Sequence, residues 1–137
     1  MALIDWSNDL SVNISEIDAQ HKRLIAMINE LHDAMRVGQG KAALEKTFAD
    51  LVRYTQTHFA YEEKLMAQHG YSASEAAAHK KEHDTLTAKV LEMQKQYASG
   101  ELVMSVEVLQ FLKQWLGFHI QGTDKRYTSH FNGKGVI

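Results

Sequence analysis

The chain contains no cysteine, which excludes disulfides and any thiolate-ligated metal. It contains no proline either, so long helices can run without losing a backbone donor. No apolar stretch approaches the ~20 residues of a membrane span. The opening MALIDWSNDL has neither a basic n-region nor a signal-length apolar run, so secretion is not indicated and a cytoplasmic location is expected. Charge of one sign is also missing: 15 basic residues oppose 17 acidic ones, for a net −2. There is no basic field for nucleic acid. Strand-like patterning is confined to Leu10, Val12 and Ile14, and a lone strand has nothing to pair with. Residues 1–16 are therefore expected to form an extended arm laid over the rest, anchored by Trp6. Repeats, linkers and low-complexity tracts are absent, and 137 residues suit one domain with one core.

What the chain has is apolar residues spaced three and four apart, the helical period. A first helix is expected over about 17–37, with Ile17, His21, Leu24, Ile28, Leu31 and Met35 on one face. Ser15 and Asp18 form its start signal, and Gly38-Gln39-Gly40 ends it. A second, about 41–68, aligns Leu44, Phe48, Leu51, Thr55, His58, Glu62 and Leu65. A third, about 73–98, follows a Ser72/Glu75 capping box and aligns Ala76, His79, His83, Leu86, Val90, Met93 and Tyr97. A fourth, about 105–121, starts near Ser105 and aligns Val108, Leu112, Trp115 and His119. The tail from Lys125 is expected to hold one turn of helix and then fray. The fold class is all-α: an up-down-up-down four-helix bundle with an extended N-terminal arm.

Eight histidines are many for this length. Five occupy places on these stripes where a core leucine is expected, and Glu62 occupies another. A buried imidazole or carboxylate without a partner costs several kcal/mol. The topology explains the pattern. His21 is early in the first helix, His58 and Glu62 late in the second, His79 and His83 early in the third, and His119 late in the fourth. All then lie at one end of the bundle. The register agrees: His21 and His58 each stand about 16–18 residues from the intervening turn, a rise of roughly 25 Å at ~1.5 Å per residue. Asp124 follows His119 by five, about 140° around an ideal helix. To join the site, the fourth helix must bend or end near Gly122. Five imidazoles and two carboxylates exceed the four ligands of one zinc. They suit two six-coordinate first-row metals bridged by carboxylates, iron first, with manganese open.

The compound pattern His21, His58-x-x-x-Glu62, His79-x-x-x-His83, His119-x-x-x-x-Asp124 resembles the bacterial hemerythrins, single-domain di-iron oxygen-binding proteins. Asp18-Ala19-Gln20-His21, Trp115-Leu116 and the Trp6 arm strengthen the resemblance, which covers nearly the whole chain. It implies two iron ions per chain with an oxo or hydroxo bridge. His79, His83 and His119 would hold one iron, and His21 and His58 the other, with Glu62 and Asp124 bridging. O2 would bind reversibly at a vacant position on the two-histidine iron, in a pocket lined by Trp115, Leu116 and Ile120. An unidentified oxygen-accepting protein is a further partner of such a carrier or store.

Residue chemistry favours carriage over turnover. Oxygen-cleaving di-iron sites in related bundles use about four carboxylates and two histidines. Five neutral imidazoles leave the centre more cationic, and an apolar pocket supplies no general acid. A peroxidase-like or nitric-oxide-reducing enzyme, or a redox or oxygen sensor, is the alternative use of such a site. His32, His69 and His130 are expected at the surface, and Glu82 off the ligand face. Tyr54, Tyr61 and Tyr127 could approach the site, with core packing the default expectation.

Overall fold

The computed structural model describes residues 3–101 and 106–137. Four long helices form an antiparallel bundle. They are α1 (Ser15–Arg36), α2 (Lys41–Gln68), α3 (Ala73–Ser99) and α4 (Val106–Phe118), and a short α5 (Thr128–Gly133) closes the chain. Helix α1 packs against α2 and α4, and α2 against α3. The expected start of the fourth helix at Ser105 lies outside the described residues. Among the described residues no strand forms, and no helix is long and apolar enough to cross a membrane.

The stripes account for the packing. Ile17, Leu24, Ile28 and Leu31 of α1 are buried against Phe48, Leu51 and Val52 of α2, Leu86, Val90 and Met93 of α3, and Leu109 and Leu112 of α4 in one cluster. Each such side chain contributes about 1.5–3 kcal/mol on burial. Sharp turns join the helices. Gly70 and Gly100 take positive φ (64° and 85°), which a side chain would resist. Tyr71 N–H then donates to the Met66 carbonyl at 3.0 Å, and Glu101 N–H to that of Gln96 at 2.8 Å, closing α2 and α3.

Neither expected capping box forms. Ser15 is the first residue of α1 rather than its cap, and no side chain caps that end. Asp18 serves the arm instead: it accepts from Ser11 Oγ at 2.5 Å and from Val12 N–H at 2.8 Å. Ser72 occupies the cap position of α3, but its hydroxyl pairs with that of Ser74 at 3.2 Å. The arm has a 3₁₀ turn at Asn8–Leu10 and buries Val12 and Ile14. Ile4 pairs its N–H and carbonyl with the Asn29 amide, both at 2.9 Å. Trp6 is half-buried, with the Lys22 ammonium 4.9 Å from its ring centre.

The tail departs from expectation. It does not fray beyond one turn: a 3₁₀ turn at Asp124–Tyr127 leads into α5, and Tyr127 and Phe131 are both 0% exposed. Thr128 Oγ1 donates to the Val12 carbonyl at 2.9 Å, tying tail to arm. Two aromatic residues four apart give α5 an apolar face, and the end of the bundle offers somewhere to bury it.

Candidate metal centre

The structure brings the seven candidate ligands together at one end of the bundle. His21, Glu62 and Asp124 are 0% exposed, and His58, His79, His83 and His119 no more than 3%. Helical spacing aligns His58 with Glu62 on α2 and His79 with His83 on α3. The α-helix ends at Phe118, and regular α geometry is lost through the segment that holds Gly122, as admitting Asp124 required. Beyond α4 the backbone widens into a π-helical turn, His119–Thr123, and Asp124 N–H reaches back to the carbonyl of His119. In a π turn the hydrogen bond runs from i to i+5. Residues five apart therefore come onto one side, where an α-helix would have separated them.

The donor atoms form two groups, each within 4.8 Å, sharing the two carboxylates: Glu62, Asp124, His79, His83 and His119 in one, Glu62, Asp124, His21 and His58 in the other. His79 Nε2 lies 2.8 Å and His119 Nε2 3.0 Å from Asp124 Oδ1, while His21 Nε2 lies 3.1 Å from Oδ2. Glu62 Oε1 sits 3.0 Å from His58 Nε2 and 3.4 Å from His83 Nε2. Nε2 atoms also face each other at 3.1 Å, His21 with His58 and His83 with His119. Two donors ~2.1 Å from one cation, at right angles, stand ~3.0 Å apart.

Short as these contacts are, several lack the alignment of a hydrogen bond. Both oxygens of Asp124, Glu62 Oε1 and His79 Nε2 are buried without a hydrogen-bond partner. Such groups cost about 1–3 kcal/mol each when left so. Lone pairs converging on a common point are satisfied by a cation, and the residues present fit a pair of them.

Electrostatics point the same way. Burial and the neighbouring Asp124 would raise the Glu62 carboxyl, but His58 and His83 outweigh them and hold it at about 2. Burial would also raise Asp124, yet the imidazoles of His119, His21 and His79 keep it well below the usual carboxylate range. Burial disfavours the His119 imidazolium, but Asp124, Glu62 and Glu82 lift it to about 9. Burial, then Glu62 and Asp124, push the Tyr127 phenol well above its ordinary value.

Glu82, Glu63 and Gln20 were not expected beside the ligands, whereas Tyr127 stood among the residues that could approach the site. Glu82 does not point away: its Oε1 accepts from His119 Nδ1–H at 3.0 Å, and Thr123 Oγ1 donates to both its oxygens, at 2.8 and 2.9 Å. Glu63 accepts from His83 Nδ1–H at 2.9 Å, and Gln20 Oε1 from His58 Nδ1–H at 2.6 Å. Tyr127 donates to Glu62 Oε2 at 2.5 Å and stacks on His79 at 5.6 Å. One signal was available: Gln20, Glu63 and Glu82 each adjoin a ligand in sequence, and each reaches an imidazole on the next helix. Tyr127 carries no such signal. His130 is half-buried, its Nε2 2.6 Å from the His69 carbonyl, away from the donor groups.

Of the pocket candidates, Trp115 is half-buried and stacks on His119, 4.4 Å between ring centres. Leu116 and Ile120 are buried. Trp115 and Leu116, with Leu24, Leu51, Phe59 and Leu86, line an apolar cavity of about 30 Å³, whereas Ile120 lies outside it. Phe59, which lines that cavity, stacks on His83 with 3.8 Å between ring centres.

Residues 12–130 match the family model described as "Hemerythrin HHE cation binding domain". The chain is 41% identical over 127 residues to a bacteriohemerythrin of Stenotrophomonas maltophilia, covering 93% of this chain and 80% of that protein. It is 35% identical to a bacteriohemerythrin of Methylococcus capsulatus, covering 93% and 95%. A solved wild-type hemerythrin superposes with a TM-score of 0.88 at 34% identity, covering 93% of this chain and 97% of that one. With this fold, this cluster of donors and these relatives, the chain belongs to the hemerythrin family of non-haem iron proteins.

Proposed function

We propose that this chain binds O2 reversibly at a pair of irons, as a carrier, store or delivery protein. His79, His83 and His119 would hold one iron, His21 and His58 the other, and Glu62 and Asp124 would bridge them beside an oxo or hydroxo group. The observation that carries the reading is the donor set: five imidazoles present Nε2 to two buried carboxylates, of which both Asp124 oxygens and Glu62 Oε1 lack a hydrogen-bond partner. The iron pair, when bound, supplies the electrons and the vacant coordination position that O2 needs.

The protein's own side chains do the rest. Hydrogen bonds at Nδ1 of His58, His83 and His119 hold those rings with Nε2 inward. Tyr127 fixes the orientation of Glu62. Trp115, Leu116 and Phe59 line the apolar approach, which admits a small neutral gas and resists water, anions and protons. No acid group lines that cavity, so nothing there delivers the proton that turnover requires.

The test is metal analysis with optical spectra of protein from iron-replete cells. Two irons per chain are expected, with a band that appears on oxygenation and disappears when O2 is removed. One zinc and no iron would overturn the reading. Sustained oxygen consumption with a reductant would replace the carrier with an enzyme.

A further inference from the structure

The hydrogen bonds behind the ligands form a chain that runs round the bundle and stops. Gln20, beside His21 on α1, serves His58 on α2. Glu63, beside Glu62 on α2, serves His83 on α3. Glu82, beside His83 on α3, serves His119 at the start of the π turn that follows α4. The step that would return to α1 is missing: His21 Nδ1 is buried with no hydrogen-bond partner. Thr123, next to Asp124, points its hydroxyl at Glu82 instead.

The links differ in charge. Two of the three imidazoles in the His79, His83, His119 group are backed by carboxylates. In the His21, His58 group, one is backed by a neutral amide and the other by nothing. The amide orientation is fixed, because Gln20 Nε2 donates to Glu16 Oε1 at 3.1 Å and leaves Oε1 for His58. A carboxylate behind an imidazole makes its far nitrogen a stronger donor and fixes its tautomer. Glu63 and Glu82 are 30% and 41% exposed, so water weakens but does not cancel this effect.

We propose that Gln20, Glu63 and Glu82 are positioning residues that set unequal metal affinity, so that the two-histidine position releases its iron first and the three-histidine position holds the second. This rests on the di-iron reading above. It means that the weaker position is the one assigned to O2, and that a chain down to one iron has lost gas binding while still holding metal.

The inequality has two sources, the extra histidine and the carboxylates, and variants separate them. Glu82→Gln keeps an acceptor for His119 but removes the charge. Gln20→Glu puts a charge behind His58. Outer partners of this kind change metal affinity about 10–100-fold. The experiment exposes the reduced, iron-loaded protein anaerobically to a coloured ferrous chelator and follows iron release. A second sample, stopped at one iron per chain, is crystallised, and the anomalous scattering of iron locates the metal that remains. Expected are two phases, with the residual iron among His79, His83 and His119. Gln20→Glu should slow the first phase at least tenfold, and Glu82→Gln should speed the second by a similar factor. Release in one phase, residual iron shared between both positions, or a first phase unchanged by Gln20→Glu would each overturn the inference. A wild-type protein that starts with fewer than two irons would overturn the di-iron reading itself.

Discussion

Tyr127→Phe removes a single oxygen atom, and the structure says what that atom does. The phenol is 0% exposed and donates to Glu62 Oε2 at 2.5 Å. The other carboxylate oxygen, Oε1, faces His58 and His83. Phenylalanine keeps the ring stacked on His79 but leaves Oε2 without its donor. Hydrogen bonds to charged groups contribute about 1.5–3 kcal/mol, and the loss is not refunded by water in a space one oxygen wide. In a chain of this length each kcal/mol moves the midpoint roughly 3–5 °C, so a fall of about 5–15 °C is expected. Thermal unfolding of the iron-loaded protein, followed by circular dichroism, measures it. Tyr97→Phe is the control: its hydroxyl reaches the Lys41 carbonyl only at 3.4 Å, near the outer limit of a hydrogen bond, and its removal should cost about 0.5 kcal/mol or less. If the two variants shift equally, the bond to Glu62 contributes nothing special and the account of how that carboxylate is held is wrong.

The metal-free chain should show a defined pH window. Glu62, depressed to about 2, stabilises the fold above its unfolded value near 4.5 and loses that contribution as pH falls toward 2. His119, raised to about 9, stabilises it below its unfolded value near 6.5 and loses that contribution as pH climbs through 9. Urea midpoints should therefore peak between about pH 4.5 and 6.5; a maximum above pH 8 would contradict the His119 assignment, and one below pH 3 that of Glu62. Leu116→Ala should leave iron content unchanged but hasten decay of the oxygenated band to the ferric form, since it opens an apolar approach; an unchanged or slower decay would remove Leu116 from the pocket. Phe131→Ala should cost about 3–5 kcal/mol by emptying a fully buried site, read as a lower denaturant midpoint, and a loss under 1 kcal/mol would mean the tail is not part of the core.

Much of the fold was legible because helices declare themselves by period. Leu24, Ile28 and Leu31 are spaced for one face, and glycines mark the turns. The candidate ligands were visible for a related reason: a histidine or glutamate on such a stripe is costly, so its presence asks for a partner. The surroundings were not legible, because a helix's own period says nothing of its neighbour's side chains. Glu82 lies off the face shared by His79 and His83, and only the angle between α3 and the end of α4 turns it toward His119. Tyr127 looked like core filling, since nothing in its local sequence distinguishes a phenol that packs from one that donates. The tail was misjudged because α5 is too short for its period to register. The start signals failed where Asp18 found a better partner in the arm than in its own helix end.

The π turn at His119–Thr123 bears on how this chain can change length. It accommodates one residue more per turn than the helix before it. Delete one residue between His119 and Asp124, and an ordinary α-turn could still align imidazole with carboxylate. If the π turn were kept instead, the missing residue would pull Asp124 and every later position back along the axis and about 100° around it. Tyr127 would leave Glu62, and Phe131 would leave its place against Tyr71 and His69. Insert one instead, and Asp124 and the tail would be carried forward together, off the metal end. Ligand and tail thus count the same five steps from opposite sides. Insertions and deletions should be tolerated in the turn around Gly38–Gly40 and excluded here. Libraries that vary the length of this segment while selecting for bound iron would display that contrast.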